Sequence, residues 1–191
     1  MKIIIDTREQ TPYDFSRYPV ESFTGTLDTG DYSLVGFEDQ IAVERKELSD
    51  IISCLGSGRE RFTRELDRLR GYESAALVIE SPLQAIRAGK YRSSMQPEAA
   101  EQSLISIMQR YRLPVYFALD RSDGQRFTYN FLRHFFRHAE IRYKAIQSQK
   151  AKDQPESGEF ITGSTGKHFR EPETLKSGAI LQYPEEWQGT Q

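Results

Sequence analysis

Three consecutive charged residues follow an apolar segment of the chain, and their types suit the hydrolysis of a phosphodiester. Glu44, Arg45 and Lys46 come directly after Ile41-Ala42-Val43. Residues two apart on a strand point to the same face, so we expect Glu44 and Lys46 to project together and Arg45 to point away. A carboxylate can bind a divalent metal ion, and a nearby ammonium can neutralise charge on a phosphate. The triplet therefore predicts a hydrolytic site.

Two further acidic positions stand where neighbouring strands are expected to meet this one. Asp31, at the head of the preceding strand, would join Glu44 in supplying the oxygen ligands that Mg²⁺ or Mn²⁺ prefers. Asp6 follows the β-branched run 3–5 and could add a carboxylate, while Arg8 could clamp a phosphate. The alternative, a sheet edge protected by charge, does not account for this second cluster.

These motifs, taken in order, resemble the XPF-type structure-specific endonuclease domain, which has a restriction-endonuclease-like fold. The motifs are Asp6-Thr7-Arg8-Glu9, Gly30-Asp31, and Glu44-Arg45-Lys46 followed by Asp50, and the likeness spans roughly residues 1 to 145. The resemblance implies that Asp31 and Glu44 bind the metal ion, Mg²⁺ or Mn²⁺, and that Asp6 and Asp50 are supporting acidic positions. It also implies that Lys46 is the catalytic lysine and that Arg8 and Arg45 are functional arginines. The tandem helix-hairpin-helix module that usually follows this domain in the family has no counterpart in residues 147–191, which are too few and too polar.

Hydrophobic periodicity predicts the elements that must position these residues. Strands are expected at 3–5, 32–35, 41–46, 75–79 and 115–119, and helices at 48–55, 59–70, 97–111 and about 122–143. Residues 36–39 are typical of the turn of a hairpin. Strands that alternate with helices predict an α/β fold. We therefore expect a restriction-endonuclease-like central mixed sheet flanked by helices.

The composition divides the chain into two parts. Residues 1–146 are expected to form the nuclease domain, and residues 147–191, rich in Gln, Ser, Gly, Pro, Thr and Glu, a polar C-terminal tail. The last helix carries Phe127, Phe131 and Phe135 at a helical spacing, flanked by Phe136. Such a stripe is expected to pack against the sheet, and the alternative is a self-association face. The resemblance implies pairing of nuclease domains, so we expect a homodimer or heterodimer.

The net charge of −2 provides no general attraction to nucleic acid, so phosphate contacts must be local. The residues predicted to contact DNA are Arg8, Arg59, Arg61, Lys90 and Arg92. Arg59 and Arg61 follow the Gly56-Ser57-Gly58 break, whose glycines could let the backbone approach DNA. The alternative for these arginines is ion pairing within their own helix.

The function expected from the sequence is a Mg²⁺- or Mn²⁺-dependent endodeoxyribonuclease. The resemblance implies flaps, forks or other branched DNA as substrates, in repair, recombination or replication. Two alternatives are a non-catalytic DNA-binding or dimerisation subunit and a restriction-like nuclease that cuts duplexes. The single cysteine, Cys54, and the absence of a long apolar N-terminal run favour an intracellular protein without a membrane segment, in the cytoplasm if prokaryotic or viral and in the nucleus if eukaryotic.

Overall fold

A mixed sheet with helices on both faces organises the part of the chain that the computed structural model describes, residues 1–153. Its elements are β1 (Lys2–Asp6), β2 (Glu21–Gly25), β3 (Tyr32–Leu34), β4 (Ile41–Glu47), α1 (Leu48–Leu55), α2 (Arg59–Leu69), β5 (Ser74–Glu80), α3 (Leu83–Arg87), α4 (Pro97–Tyr111), β6 (Val115–Phe117) and α5 (Arg121–Asp153). The strand order is β2-β1-β3-β4-β5-β6. The pairs β1–β3 and β3–β4 are antiparallel, and the other neighbours are parallel.

Alternation along β4 assigns its residues to two different cores. Ala42 packs in a core built with α1, α2 and α4, whereas Ile41 and Val43 pack in a second core that contains Tyr13 and residues of α5. Because side chains alternate between faces, Glu44 and Lys46 share the face of Ala42. Arg45 shares the face of Ile41 and Val43. The two sides of the sheet therefore receive different charged residues from one triplet.

The aromatic residues of α5 cover the sheet, as expected from their helical spacing. Phe135 is buried in the second core, and Phe127, Phe131 and Phe136 are partly buried against it. The ring of Phe127 stacks on Tyr116 of β6 with centroids 4.0 Å apart. Packing against the sheet of the same chain therefore accounts for the phenylalanine stripe.

Three features of the fold differ from the sequence-based expectations. β2 was not expected, because its residues are largely exposed and it is held by parallel pairing with β1 rather than by an apolar pattern. The short helix α3 was also missed. α5 continues to Asp153 instead of ending near Tyr143, since residues 144–153 contain no Gly or Pro and their Ala, Gln and Lys residues favour helix.

The extended helix takes in the first residues of the predicted tail, 147–153, and the rest of that tail lies outside the described residues. Between residues 1 and 153, no helix is both long and apolar enough to cross a membrane.

Candidate active site

Three acidic residues stand side by side on adjacent strands. Ile5 pairs with Tyr32, and Tyr32 pairs with Val43. Because both pairings are antiparallel, the residue after Ile5, the residue before Tyr32 and the residue after Val43 lie side by side. These are Asp6, Asp31 and Glu44, which form a row across β1, the start of β3 and β4. Backbone hydrogen bonds continue the pairing, from the Asp6 amide to the Asp31 carbonyl at 2.8 Å and from the Asp31 amide to the Val43 carbonyl at 2.9 Å. The row lies at the end of the sheet where α1 begins.

Gly30 allows Asp31 to take its place in this row. The backbone of Gly30 has a φ of 83°, and a Cβ there would lie 2.9 Å from the Cβ of Ala42. Only glycine combines this left-handed conformation with so close an approach. The glycine therefore brings the carboxylate of Asp31 up to β4, where Oδ2 accepts a hydrogen bond from the Arg45 amide at 2.7 Å.

Lys46 lies between two carboxylates on the face covered by α1 and α2. Its ammonium contacts the carboxylate of Glu44, and it donates to Oε1 of Glu65 in α2 at 3.2 Å. Glu44 is only 4% exposed, so its charge is poorly solvated. Glu44, Lys46 and Glu65 thus form one partly buried charged cluster beside Asp31.

Burial and close charges together shift the pKa values of this cluster. Burial raises the pKa of Asp31 to about 6, with a further contribution from the charges of Glu9 and Glu65. Burial, and then the charge of Asp31, raises the pKa of Glu44 well above its ordinary value. Burial alone would lower the pKa of Lys46, but the charges of Glu44 and Glu65 outweigh it and raise that pKa. Lys46 is therefore a permanent cation, suited to stabilising phosphate charge rather than to acting as a base.

Asp6 is occupied by Arg8 and by the backbone. Its carboxylate accepts from the Nε of Arg8 at 2.7 Å and from the Nη2 at 3.1 Å, and also from the amides of Arg8 and Leu27, each at 2.7 Å. These hydrogen bonds show that Asp6 positions Arg8, and its role as a metal ligand stays a prediction. The side chain of Arg8 remains 66% exposed and is held in place by Asp6 and by the carbonyl oxygen of Leu27.

Arg45 points away from the acidic row, as strand alternation predicted. Its guanidinium makes a bidentate ion pair with Glu80 at the end of β5, with both distances 2.8 Å, and also contacts Glu47 and Glu9. Its side chain is 6% exposed. Three carboxylates therefore hold Arg45, which connects the ends of β4 and β5, and its catalytic role stays a prediction.

Two cavities open at this end of the sheet and share Arg8, Asp31, Lys46 and Arg61. The first, here called the acidic cavity, has a volume of about 440 Å³ and is lined in addition by Glu9, Gln10, Thr11, Arg45, Glu47, Asp50, Ser53 and Cys54. The second, here called the α2 groove, has a volume of about 400 Å³ and is lined in addition by Asp28, Thr29, Gly30, Glu44, Arg64, Glu65 and Arg68. Asp31 and Lys46 therefore lie where the two openings meet.

The predicted DNA-contacting residues do not all lie at these cavities. Arg8 and Arg61 line both of them. Arg59 lies in a cleft between α2 and α4, and Lys90 and Arg92 are on the exposed loop after α3. DNA contact by these last three residues stays a prediction, and the structure does not bring them to the site.

The residues at the junction of the cavities fit a divalent cation. In the described range 1–153, no three His, Cys, Asp or Glu side chains are already arranged around a common metal position. Mg²⁺, however, usually takes only one or two protein carboxylates and completes its shell with waters and substrate oxygens. Asp31 and Glu44 provide two adjacent carboxylates whose raised pKa values reflect unfavourable negative charge, which a cation would relieve. Asp50, exposed in the first turn of α1, lines the acidic cavity.

Sequence analysis missed two acids of the site, Glu65 and Glu80. Nineteen positions separate Lys46 from Glu65, and only the packing of α2 against this end of the sheet brings them together. Glu80 had a signal, because β5 is parallel to β4 and Glu80 pairs with Glu47 in the register. Carboxyl ends of adjacent parallel strands meet at one edge, so a charge ending β5 belongs to the same site.

Comparison with known proteins supports this description. A family model described as the ERCC4 domain matches residues 5–131. The structure of XPF from Aeropyrum pernix is similar with a TM-score of 0.59 at 22% identity, over 79% of this chain and 73% of that chain. XPF from Aeropyrum pernix in complex with DNA gives a TM-score of 0.56 at 22% identity, over 71% of this chain and 65% of that chain. No curated protein matched in sequence. The predicted α/β class with a central mixed sheet flanked by helices is confirmed.

Proposed function

The chain belongs to the ERCC4 domain family, and we propose that it is a metal-dependent endodeoxyribonuclease that cuts flaps, forks or other branched DNA. The observation that carries this proposal is the convergence of Asp31, Glu44 and Lys46 where two cavities meet. The similarity to XPF bound to DNA supports DNA as the ligand. Branched substrates follow from the resemblance to structure-specific nucleases.

Each residue has a distinct part in this reaction. Asp31 and Glu44 would hold the Mg²⁺ or Mn²⁺ ion, which supplies Lewis-acid activation of water and neutralises charge on the phosphate. Lys46 stays protonated and stabilises the negative charge that develops on the phosphoryl oxygens. Arg8, oriented by Asp6, binds a phosphate oxygen from the rim of both cavities. Arg45 and Glu80 keep the ends of β4 and β5 in register beneath these groups.

The test is cleavage of labelled flap, fork, plain duplex and single-stranded DNA in Mg²⁺, in Mn²⁺ and in EDTA. Lys46→Ala is compared with Lys2→Ala, which removes an exposed lysine at the other end of β1. Loss of one group that stabilises transition-state charge typically costs about 100-fold or more in rate. We expect Lys46→Ala to lose that much and Lys2→Ala to match the wild type.

The outcomes separate the proposal from its alternatives. Metal-dependent cutting of flaps or forks that Lys46→Ala abolishes supports both the site and the substrate class. Equal cutting of plain duplex would instead favour a restriction-like nuclease. DNA binding without cleavage in either metal would favour a non-catalytic subunit.

We also propose that the chain forms a dimer, through a surface farther along α5 than the phenylalanine stripe. Phe37, Phe136, Tyr143 and Ile146 line an apolar cavity of about 390 Å³ on this part of the helix. Tyr143 and Ile146 are 62% and 53% exposed within the described part of the chain. Large exposed apolar side chains grouped in this way favour a protein partner.

A further inference from the structure

One face of α2 carries a row of arginines along the wall of the α2 groove. Arg61, Arg64 and Arg68 recur at i, i+3 and i+7, a spacing that puts them on one side of a helix, and all three line the groove. The opposite side of α2 is anchored by Phe62 and Leu66, which are each 2% exposed. The core therefore fixes the rotation of the helix and directs the arginines into the groove.

These arginines are available to an anion. The side chain of Arg64 is 60% exposed, and its partner Glu60 is 92% exposed, so solvent screens this ion pair and little holds it together. Arg68 donates from Nε to the hydroxyl of Thr29 at 3.0 Å, which lays its side chain along the groove. Thr29 itself is 3% exposed and lies two residues before Asp31 in the chain.

The two cavities also differ in the formal charge of the residues that line them. In the acidic cavity, the charges of Arg8, Arg45, Lys46 and Arg61 are balanced by those of Glu9, Asp31, Glu47 and Asp50. In the α2 groove, five cations, among them Arg64 and Arg68, face the four carboxylates of Asp28, Asp31, Glu44 and Glu65. The formal charge is therefore 0 for the acidic cavity and +1 for the groove. A polyanion entering the site is therefore favoured on the side of α2.

The row also has a suitable length. Seven residues of helix separate Arg61 from Arg68, which at about 1.5 Å per residue is roughly 10 Å. One strand of B-form DNA carries a charge about every 3.4 Å along its axis, so this distance corresponds to about three phosphates.

From this geometry we propose that Arg61, Arg64 and Arg68 form a phosphate-binding track, which holds the backbone of one DNA strand on one side of the phosphate to be cut. The inference rests on the proposed function and adds to it the position of one DNA strand relative to α2. The contacts are to phosphates, so the track binds DNA independently of sequence.

The first experiment measures DNA binding by fluorescence anisotropy in EDTA, where cleavage by a metal-dependent enzyme is excluded. The full chain and R64Q/R68Q are titrated with a labelled flap DNA at several salt concentrations. The control is R70Q/R112Q, which removes the same charge from two exposed arginines in a separate cavity at the C-terminal end of α2. R64K/R68K tests rescue by charge, and thermal unfolding shows that each variant is folded.

We expect R64Q/R68Q to bind at least roughly tenfold more weakly than the control. The slope of log affinity against log salt should fall by about two, because each lost phosphate contact removes roughly one unit. R64K/R68K should retain the slope of the wild type. Binding and slope in R64Q/R68Q equal to those of R70Q/R112Q would overturn the track, as would failure of the lysine variant to rescue.

The second experiment maps the track with uncharged methylphosphonates placed at successive phosphates on either side of the cut. We expect neutral linkages on one side, over about three phosphates, to weaken the wild type but not R64Q/R68Q. Sensitivity that persists in the variant would refute the inference. If the wild type cuts DNA and the variant binds like its control, only the track fails; if the wild type neither binds nor cuts, the proposed function fails as well.

Discussion

Replacing Asp31 by Asn should remove cleavage and yet stabilise the metal-free protein. In the folded chain, burial raises the pKa of the Asp31 carboxyl from 3.8 to about 6, and the nearby charges of Glu9 and Glu65 add to the effect. The ionised carboxylate is therefore less favourable in the native state than in the unfolded chain. Asn keeps an oxygen that can accept from the Arg45 amide, but it carries no charge to bury.

The size and sign of this effect follow from the shift. A difference of about two pKa units corresponds to about 3 kcal/mol. Since the folded state binds the proton more tightly, the contribution of Asp31 to wild-type stability is most favourable below its unfolded pKa of about 4. This contribution declines as pH rises to about 6 and is level above that value. Asp31→Asn should therefore exceed the wild type by up to about 3 kcal/mol at pH 8, and the two should converge near pH 4.

The assay is thermal unfolding in EDTA, followed by circular dichroism from pH 4 to pH 8. For a domain of this size, 3 kcal/mol raises Tm by roughly 6–12 °C. Asp67→Asn, which removes a charge from an exposed position on α2, controls for net charge and should leave Tm nearly unchanged. Adding Mg²⁺ should raise the Tm of the wild type but not that of Asp31→Asn. An Asp31→Asn protein that is less stable than the wild type at pH 8, or whose advantage does not shrink at low pH, would falsify the reasoning.

Two further predictions concern α5. A Cβ at Gly124 would overlap the hydroxyl of Tyr13 and approach Cγ1 of Val78 at 3.3 Å, so Gly124→Ala should lower the free energy of unfolding by about 1–3 kcal/mol. In a Tyr13→Phe background, which removes the hydroxyl, most of that loss should disappear in urea unfolding; an equal loss in both backgrounds would contradict the overlap. For the proposed dimer, light scattering should give twice the chain mass for the wild type and one chain mass for Tyr143→Glu/Ile146→Glu, and a monomeric wild type would exclude it.

Much of the candidate site could be predicted because it depends on short-range rules. Alternation along β4 was enough to place Glu44 with Lys46 and to send Arg45 to the other face. The predicted hairpin brought Asp31 beside Glu44 through the pairing of Tyr32 with Val43. Strand alternation and hairpin pairing are local properties of the chain, and here the tertiary structure preserves them.

The parts of the fold and of the site that could not be predicted depend on long-range packing, which the spacing of residues along the chain does not indicate. Glu65 reaches Lys46 only because α2 packs over the end of the sheet, and Arg59 and Arg61 were predicted together although they face different sides of α2. β2 is held by its pairing with β1, so a search for apolar alternation could not find it. Asp6 stood in the expected row, but the four hydrogen bonds that occupy its carboxylate appear only in the folded chain.

The triplet at the end of β4 has opposite effects on stability on the two faces of the sheet. On one face, the raised pKa values of Asp31 and Glu44 mean that the acids of the site oppose folding when they are ionised. On the other face, Arg45 makes a bidentate ion pair with Glu80, which connects the strand that carries those acids to its neighbour. Breaking a buried pair of this kind by removing one partner typically costs about 3–5 kcal/mol. Removing Arg45 would therefore leave Glu80 buried without its partner, whereas removing the charge of Asp31 would relieve an unfavourable one.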